Sequence, residues 1–254
     1  MRPSELTKMF ELEDTYWWFV ARRALVLALL ARHRPSRGEA ATLLDVGCGT
    51  GAMLAGLSAH GRAVGIDASE HALAYCRRRG HHDLVQARGE SLPIADASAD
   101  AVTALDLLEH IPEDGAAVKE FARVLRPGGV LIVTVPAGAW LWSEHDEALD
   151  HHRRYRSRRL RELLLEAGLV IERLSPLITL LLLPVAALRL LQRLRRRPEG
   201  PRTALIVPSK LVNALLIRLL WLENQWLLRF NLPAGVSLMA VARKPAEPTD
   251  TEDS

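Results

Sequence analysis

The sequence predicts an α/β fold in which helices cover both faces of a doubly wound parallel sheet. Apolar segments with strand character alternate with helix-forming segments along the chain, as crossover connections between parallel strands require. The first strong strand, 42–46, leads into alternating glycines at Gly47, Gly49 and Gly51, and a helix-forming segment follows directly. With 254 residues and 49% hydrophobic content, the chain can bury one large core.

The predicted elements begin with a helical N-terminal segment over residues 1–40. Four consecutive aromatic residues at 16–19 precede an apolar helix over 24–31. Such a cluster packs either in the core or beside a bound molecule, and the sequence leaves this choice open. The predicted strands are 42–46, 63–67, 83–87, 100–105, 129–135, 169–174 and 236–242.

The glycine-rich turn after the first strand indicates a nucleotide-like ligand. Glycine allows a left-handed backbone and a close approach to a ligand, and the next helix begins with unpaired N–H groups. Asp67 ends the second strand 20 residues after Gly47, where a carboxylate accepts hydrogen bonds from ribose hydroxyls. Asp45 discriminates among nucleotides, because its charge repels a pyrophosphate by about 1–4 kcal/mol and attracts a cationic ligand.

Five motifs in order resemble the class I S-adenosylmethionine-dependent methyltransferases, and among them the quinone-biosynthesis-type (type 11) branch. They are the acidic-x-Gly-x-Gly-x-Gly turn at 45–51, the acidic strand end at Asp67, the segment 88–93, the strand 101–106 with Glu109 and His110 behind it, and the segment 123–129. The resemblance implies a seven-stranded Rossmann-like sheet whose last strand is antiparallel and lies between the fifth and the sixth. It also implies S-adenosyl-L-methionine as the cofactor, whose ammonium and sulfonium groups suit the charge of Asp45.

The resemblance implies a role for each part of the cofactor site. Asp45 and the glycines hold the methionine moiety, Asp67 holds the ribose, and residues 88–90 hold the adenine. The implied cofactor-binding set is Asp45, Gly47, Cys48, Gly49, Gly51, Asp67, Ala68, Gly89, Glu90 and Asp106. Arg88 stands where the family usually has an aspartate, so the adenine amino group contacts Glu90, the backbone or neither. This departure leaves open a non-catalytic cofactor-binding protein, whereas Asp45 disfavours an NAD-dependent oxidoreductase.

The segment 140–155, after the fifth strand, is the richest polar cluster and lies where open α/β sheets bind ligands. Methyl transfer is an in-line displacement, which needs a general base only where the acceptor atom is protonated. His145 and His151 are the candidate catalytic bases; the alternative is that they brace the loop through hydrogen bonds. Arg153 and Arg154 are suited to hold an anionic acceptor, such as a phosphate.

Three neighbouring residues have side chains of types that bind metal ions: Asp106, Glu109 and His110. Their spacing of i, i+3 and i+4 places three ligands on one face if the segment is helical. It resembles the pattern of ubiquinone O-methyltransferases, in which a divalent ion helps to bind the acceptor. The Glu-His pair is, however, widespread in methyltransferases that use no metal. We therefore expect no metal ligands in this chain.

Residues 176–234 form an insertion before the last strand, and their composition differs from the rest of the chain. Nine Arg or Lys against two Glu give the insertion a net charge of +7, whereas the whole chain carries +3. The twelve uncharged residues at 177–188 are too few to span a bilayer, which takes about 20 apolar residues. A second apolar run at 211–222 is followed by Trp226 and Phe230, and aromatic and basic residues are frequent at membrane interfaces.

We predict that this helical insertion contacts an anionic membrane surface, with a lid over the active site or a homodimer contact as the alternatives. Nucleic acid is not an expected partner, because the basic residues are interleaved with long aliphatic ones. The predicted organisation is an N-terminal helical cap at 1–40, a cofactor-binding core at 41–175, the insertion at 176–234, the last core strand at 235–245 and a disordered tail at 246–254.

The predicted location rests on the cysteines and the first residues. The two cysteines, Cys48 and Cys76, have no spacing typical of a disulfide framework, which favours a reducing compartment. Residues 1–10 lack the apolar stretch of a secretory signal. We expect a cytoplasmic enzyme, peripheral at the inner face of the membrane, that methylates an oxygen or carbon of a small or lipid-linked acceptor.

Overall fold

Seven strands form one open sheet in the computed structural model, which describes residues 3–33, 41–194 and 207–246. The strands are β1 (Thr42–Val46), β2 (Arg62–Asp67), β3 (Leu84–Gln86), β4 (Ala99–Leu105), β5 (Leu125–Pro136), β6 (Val170–Leu177) and β7 (Ser237–Arg243). Their order is β3-β2-β1-β4-β5-β7-β6. Only β7 is antiparallel to its neighbours in the described sheet. The predicted seven-stranded sheet, with an antiparallel last strand between the fifth and the sixth, is confirmed.

Helices cover both faces of this sheet. They are α1 (Pro3–Leu12), α2 (Trp17–His33), α3 (Ala52–Ser58), α4 (Glu70–Arg78), α5 (Asp114–Val124), α6 (Glu144–Ala148), α7 (Ser157–Glu166), α8 (Leu182–Leu194) and α9 (Lys210–Leu227). One core cluster packs α5 and α7 against the sheet, and a second packs α2, α3 and α9 against it. Leu44 belongs to the first cluster and Leu43 to the second, because successive side chains of a strand point to opposite faces. The doubly wound arrangement is therefore confirmed.

Several element boundaries differ from the sequence-based expectation. α2 begins at Trp17, so three of the four aromatic residues at 16–19 lie in the first turn of the helix, and only Tyr16 precedes it. β6 continues to Leu177, and α8 and α9 are the helices of the insertion within the described residues. Residues 195–206 and 247–254 lie outside the described part, and with them Arg195–Arg197 and nearly all of the predicted tail. Among the described helices, none has the length and apolar character that crossing a bilayer requires.

Polar side chains fix α9 to α2. Asn213 accepts a hydrogen bond from the Trp17 N–H at 3.0 Å, and its Nδ2 donates to the Thr15 carbonyl at 2.8 Å. About three turns further on, Asn224 Nδ2 donates to the Ala21 carbonyl at 2.9 Å. Because these contacts are side chain to backbone, they set the position of α9 along α2, while the apolar side chains between them provide the packing.

Candidate functional site

A cavity of about 670 Å³ lies at the carboxyl edge of the parallel strands, between the sheet and the helices α1, α2, α8 and α9. Open α/β sheets bind ligands at this edge, and the volume is within the roughly 300–1,000 Å³ typical of small-molecule sites. The turns after β1, β2 and β4 form one part, which we name the glycine-loop half. The other part, the histidine half, is lined by His110, His145, His151, Arg154 and Arg189.

The glycine-loop half is shaped by two glycines and one carboxylate. Gly47 and Gly49 have positive φ angles of +73° and +55°, and a Cβ on Gly49 would lie 2.7 Å from the Met9 side chain. The Gly49 N–H donates to Asp67 Oδ2 at 3.0 Å, and the Ser69 N–H donates to Oδ1 at 2.8 Å. Burial raises the pKa of Asp67, and these two bonds counteract it. A carboxylate held in this way can accept hydrogen bonds from ligand hydroxyls.

Seven of the predicted cofactor-binding residues line the cavity: Gly47, Gly49, Asp67, Ala68, Gly89, Glu90 and Asp106. Asp45 and Cys48 line an adjoining cavity of about 40 Å³, and Gly51 is the N-cap of α3. The buried Asp45 carboxylate accepts a hydrogen bond from Thr103 Oγ1 at 2.6 Å. Burial raises the pKa of Asp45 to about 7. The structure thus places Asp45 beside the main cavity and not in its wall.

Arg88, the departure from the family pattern, lies at the rim of the glycine-loop half. Its side chain is 71% exposed, and its Nε donates to Glu90 Oε1 at 2.8 Å. An exposed ion pair of this kind contributes at most about 1 kcal/mol. A ligand amino group can therefore replace Arg88 as the partner of Glu90 with little loss of free energy.

Side chains of α2 close the glycine-loop half. The Arg22 guanidinium forms an ion pair with Asp106 and lies 5.6 Å from the ring centroids of both Trp18 and Phe19. All four aromatic residues at 16–19 line the cavity, so the structure places them at the site. Sequence reasoning missed Arg22, and its position one helical turn after the aromatic run was the signal that could have found it.

The histidine half contains a buried carboxylate, Asp146, whose Oδ1 has two side-chain partners. Its Oδ1 bonds to His151 Nδ1 at 3.0 Å and accepts from Arg154 Nε at 2.8 Å. Burial alone would raise the pKa of Asp146, but the hydrogen bond with His151 and the charge of Arg154 hold that pKa well below its usual range. An ionised carboxylate on Nδ1 orients the imidazole and leaves Nε2 as the proton acceptor.

The three histidines of the histidine half have different surroundings. Burial lowers the pKa of His145 to about 3, and the Arg189 guanidinium adds to this effect. Burial also lowers the pKa of His110 to about 4, with a contribution from His151. Near neutral pH both side chains are uncharged and weakly basic. The ring of His151 is hydrogen-bonded through Nδ1 to the Asp146 carboxylate.

Glu109, His110 and His151 have donor atoms within 4.8 Å of one another, close enough to share a metal ion. The Glu109 carboxyl is fully buried, and neither oxygen has a hydrogen-bond partner among the described residues. Burial raises the pKa of Glu109 well above its usual value. Asp106 is not part of this group, because a single 3₁₀ turn at Leu108–His110 replaces the helix that the metal pattern requires. That the site needs no metal remains a prediction.

Two arginines line the histidine half, but only one is a residue that the sequence suggested. Arg153 forms an ion pair with Asp114 at 2.9 Å and is not in the cavity wall. Arg154 is in the wall, and so is Arg189 of α8, whose NH1 donates to Ser143 Oγ at 2.7 Å. Sequence reasoning missed Arg189, because 46 residues separate it from Ser143 and its neighbours suggested a membrane-facing segment.

Residues 44–133 match the family model of a methyltransferase domain. This segment, about a third of the chain, is therefore similar to the methyltransferase domains of that family. A protein from Mycolicibacterium smegmatis, described as a probable S-adenosylmethionine-dependent methyltransferase, is 32% identical to the chain over 166 residues. The aligned region covers 63% of this chain and 62% of that relative, so the chain spans less than two thirds of the relative's length.

Solved structures share the fold of this chain. One is the complex between the Haloferax volcanii Trm112 methyltransferase activator and a protein classed as a methyltransferase: the TM-score is 0.61 at 19% identity, with 96% of this chain and 94% of that chain covered. Another is geranyl diphosphate C-methyltransferase from Streptomyces coelicolor, in complex with Mg²⁺, geranyl diphosphate and S-adenosyl-L-homocysteine. Its TM-score is 0.58 at 15% identity, with 87% and 78% covered. At these identities the similarity shows a common Rossmann-like fold.

Replacing Asp67 by alanine is expected to weaken binding of S-adenosylmethionine and S-adenosylhomocysteine by about tenfold or more. The reason is that hydrogen bonds from ligand hydroxyls to a charged group contribute about 1.5–3 kcal/mol. Isothermal titration calorimetry measures both affinities. Asp96→Ala, at a side chain that is 77% exposed, is the matched control and should bind as the wild type does. Tight binding of NAD by the wild type, without binding of S-adenosylmethionine, would contradict the cofactor assignment.

Proposed function

We propose that the chain is an S-adenosylmethionine-dependent methyltransferase that methylates an oxygen or carbon of a small or lipid-linked acceptor at an anionic membrane surface. The observation that carries this proposal is the single cavity that joins the glycine-loop half to the histidine half. Cofactor-side and acceptor-side residues line one continuous space. Such a space allows donor and acceptor to be held in line for a displacement reaction.

The glycine-loop half fits S-adenosylmethionine. Gly47 and Gly49 leave the backbone open to a ligand, Asp67 offers an oriented carboxylate, and the Arg22–Asp106 pair closes the site. When bound, the cofactor supplies a methyl group attached to a sulfonium. Support for this cofactor comes from the methyltransferase family model and from the relative whose name includes S-adenosylmethionine. A protein of the same fold binds S-adenosyl-L-homocysteine.

His151 is the side chain best suited to take a proton from the acceptor. Asp146 bonds to its Nδ1, as the buried aspartate of a Ser-His-Asp triad does, so Nε2 accepts the proton and the carboxylate stabilises the imidazolium. His145 is less suited, because the nearby Arg189 guanidinium disfavours a second positive charge. Removing the proton raises the nucleophilicity of an acceptor oxygen or carbon at the moment of transfer.

The surface of α9 supports action at a membrane. In a soluble amphipathic helix the polar residues face water, but here Asn213, Glu223 and Asn224 bond to the protein interior. The exposed apolar side chains are Leu211, Val212, Leu215, Trp221, Leu222 and Trp226. Glu223 is the only carboxylate within α9, and it is buried. We name the exposed side of α9 the apolar-basic face, since Lys210 and Arg218 are its charged members.

An anionic bilayer suits the apolar-basic face better than a second copy of the chain. Helices that lie in the membrane interface combine apolar, aromatic and basic side chains, and each basic residue near an anionic leaflet contributes about 1 kcal/mol. In a twofold contact the face would meet itself, and Arg218 would be buried without a carboxylate of α9 to pair with. Because anionic lipids are concentrated in the cytoplasmic leaflet, the proposed location is peripheral at the inner face of the membrane.

The helices that carry this surface also form part of the cavity wall. Val185 and Leu188 of α8 line the cavity, and so does Leu216 of α9. The helices α8 and α9 therefore offer an acyl or prenyl chain apolar side chains both at the protein surface and in the cavity wall. This proximity supports a lipid-linked acceptor.

The activity is tested with labelled S-adenosylmethionine and a total lipid and metabolite extract. We expect label in an organic-soluble product, together with S-adenosylhomocysteine in equal amount. Asp67→Ala should transfer less label at limiting cofactor concentration, and Asp96→Ala should match the wild type. Cofactor binding without transfer to any fraction of the extract would favour the non-catalytic alternative.

Replacing Leu215 and Trp226 by glutamate is expected to lower the fraction of protein that floats with anionic vesicles by about tenfold or more. Each buried CH₂ group adds about 0.8 kcal/mol of membrane binding, and the new carboxylates are repelled by the leaflet. Leu165→Glu changes an equally exposed leucine, 53% exposed against 65% for Leu215, on α7 away from this face. It should float as the wild type does. If the wild type binds vesicles of no composition, the membrane proposal is wrong and α9 serves as a lid or a dimer contact.

A further inference from the structure

Two guanidinium groups of the histidine half are hydrogen-bonded to the N-terminal turn of α6. Arg154 Nε donates to Asp146 Oδ1, and Arg189 NH1 donates to Ser143 Oγ. Ser143 and Asp146 are themselves joined, because the Ser143 N–H donates to Asp146 Oδ2 at 2.9 Å. The turn therefore holds both arginines in place in the cavity wall. Arg154 is almost entirely removed from solvent, with 3% of its side chain exposed.

The two positive charges are close enough to influence one another. Burial lowers the pKa of Arg189 to about 10, and the charge of Arg154 contributes to the shift. The Asp146 carboxylate is hydrogen-bonded to both His151 and Arg154. A buried guanidinium has five N–H donors in a planar fork, which suits a phosphate or carboxylate with two acceptor oxygens.

Arg189 is the charged residue in the part of the cavity wall that α8 contributes. Val185 and Leu188 precede it on α8 in the lining, and Trp17 and Leu216 line the same cavity. A ligand that contacts Arg189 with a charged group thus has apolar side chains for the rest of its body. A ligand with a negatively charged group and an apolar body is an amphiphile with an anionic head group.

We infer that the methyl acceptor carries an anionic oxygen group, bound by Arg189 with Arg154 behind it, and an apolar chain that lies along α8 and α9. This inference rests on the proposed function, since it names the class of acceptor for the same cavity. Arg189 is the direct ligand, and Arg154 positions the turn and adds positive potential. The anionic group is either the phosphate of a lipid or that of a water-soluble phosphate ester, which share the same recognition chemistry.

The test compares two amphiphiles of equal chain length, octyl phosphate and octyl glucoside, below their micelle concentrations. Binding is followed by the fluorescence of the tryptophans at the cavity wall, without any turnover. We expect the wild type to bind octyl phosphate about tenfold more tightly than octyl glucoside, as one charge-assisted interaction predicts. Arg189→Gln should reduce this preference to less than about twofold while leaving octyl glucoside binding unchanged.

Two further variants make the result specific. Arg189→Lys keeps the charge and should retain most of the preference, which a merely structural role for Arg189 does not predict. Arg158→Gln, at a side chain of α7 that is 90% exposed, is the matched control and should keep the full preference. Equal affinities of the wild type for the two amphiphiles, or an undiminished preference in Arg189→Gln, would overturn the inference.

Competition experiments separate the two sources of the anionic group. Displacement of octyl phosphate by inorganic phosphate indicates a water-soluble phosphate ester, and displacement only by vesicles that contain phosphatidic acid indicates a lipid. Calorimetry with S-adenosylmethionine on the same preparations keeps the two proposals distinguishable. A wild type that binds the cofactor but shows no preference for octyl phosphate refutes the anionic acceptor alone, whereas a wild type that does not bind the cofactor refutes the proposed function.

Discussion

Replacing His151 by alanine is expected to lower the turnover number for methyl transfer by about 10²–10⁴-fold while leaving the affinity for S-adenosylmethionine unchanged. General-base catalysis by a positioned side chain contributes rate factors of this size. The His151 ring is oriented by Asp146, so Asp146→Asn should also lower turnover, because an amide cannot stabilise the imidazolium. Transfer of label from S-adenosylmethionine to the extract, with cofactor affinity measured by calorimetry, gives both quantities.

The matched control for this prediction is His152→Ala, since His152 is the exposed neighbour of His151 in the chain. It should retain turnover within about twofold of the wild type. Wild-type turnover by His151→Ala would show that the acceptor needs no base or uses another one. Turnover that a chelator abolishes and a divalent ion restores would instead assign Glu109, His110 and His151 to a metal site.

Replacing Glu223 by alanine is expected to lower the free energy of unfolding by about 3–6 kcal/mol, since two hydrogen bonds are lost and each contributes about 1.5–3 kcal/mol. The buried Glu223 carboxyl accepts the Ile178 N–H at 2.6 Å and the Leu180 N–H at 3.0 Å. Ile178 has a φ of +59°, which a β-branched residue rarely adopts, so these bonds also hold a strained backbone. Urea unfolding followed by circular dichroism measures the change.

Two comparisons keep this second prediction specific to the anchor of α9. Glu223→Gln preserves the shape and one acceptor oxygen, and it should lose less stability than Glu223→Ala. Glu162→Ala removes a partly exposed carboxylate from an i, i+4 pair with Arg158, and it should change the free energy of unfolding by about 0.5 kcal/mol or less. A loss as small in Glu223→Ala as in Glu162→Ala would show that apolar packing alone holds α9 in place.

Local sequence patterns were enough to predict the sheet and the glycine-rich turn. β1 and β4 are short apolar runs that are buried, and runs of this kind are recognisable from spacing alone. The antiparallel last strand was predicted through the family resemblance, and the pairing of β7 with β5 and β6 confirms it. Boundaries were less accurate where helices continue past the pattern, as α2 does toward Trp17.

The acceptor side of the cavity could not be predicted to the same depth. Arg153 and Arg154 are adjacent in sequence and chemically alike, yet one pairs with Asp114 outside the cavity and the other lines it. The metal pattern of Asp106, Glu109 and His110 assumed a helix, whereas the structure has one 3₁₀ turn and adds His151 from another segment. Which of two similar side chains faces a site depends on packing that the local sequence does not contain.

The sequence by itself determined the class of fold and the glycine-rich turn, because these follow from hydrophobic period and from motifs within a few residues. The place of the last strand in the sheet came from the family resemblance. Only the tertiary structure decided how the site is closed and which groups act in the histidine half. Arg22 reaches Asp106 across 84 residues and Arg189 reaches Ser143 across 46, and such contacts form only when the sheet has brought distant segments together. Burial, which sets the charge state of Asp45, Glu109 and His145, is likewise a property of the whole fold.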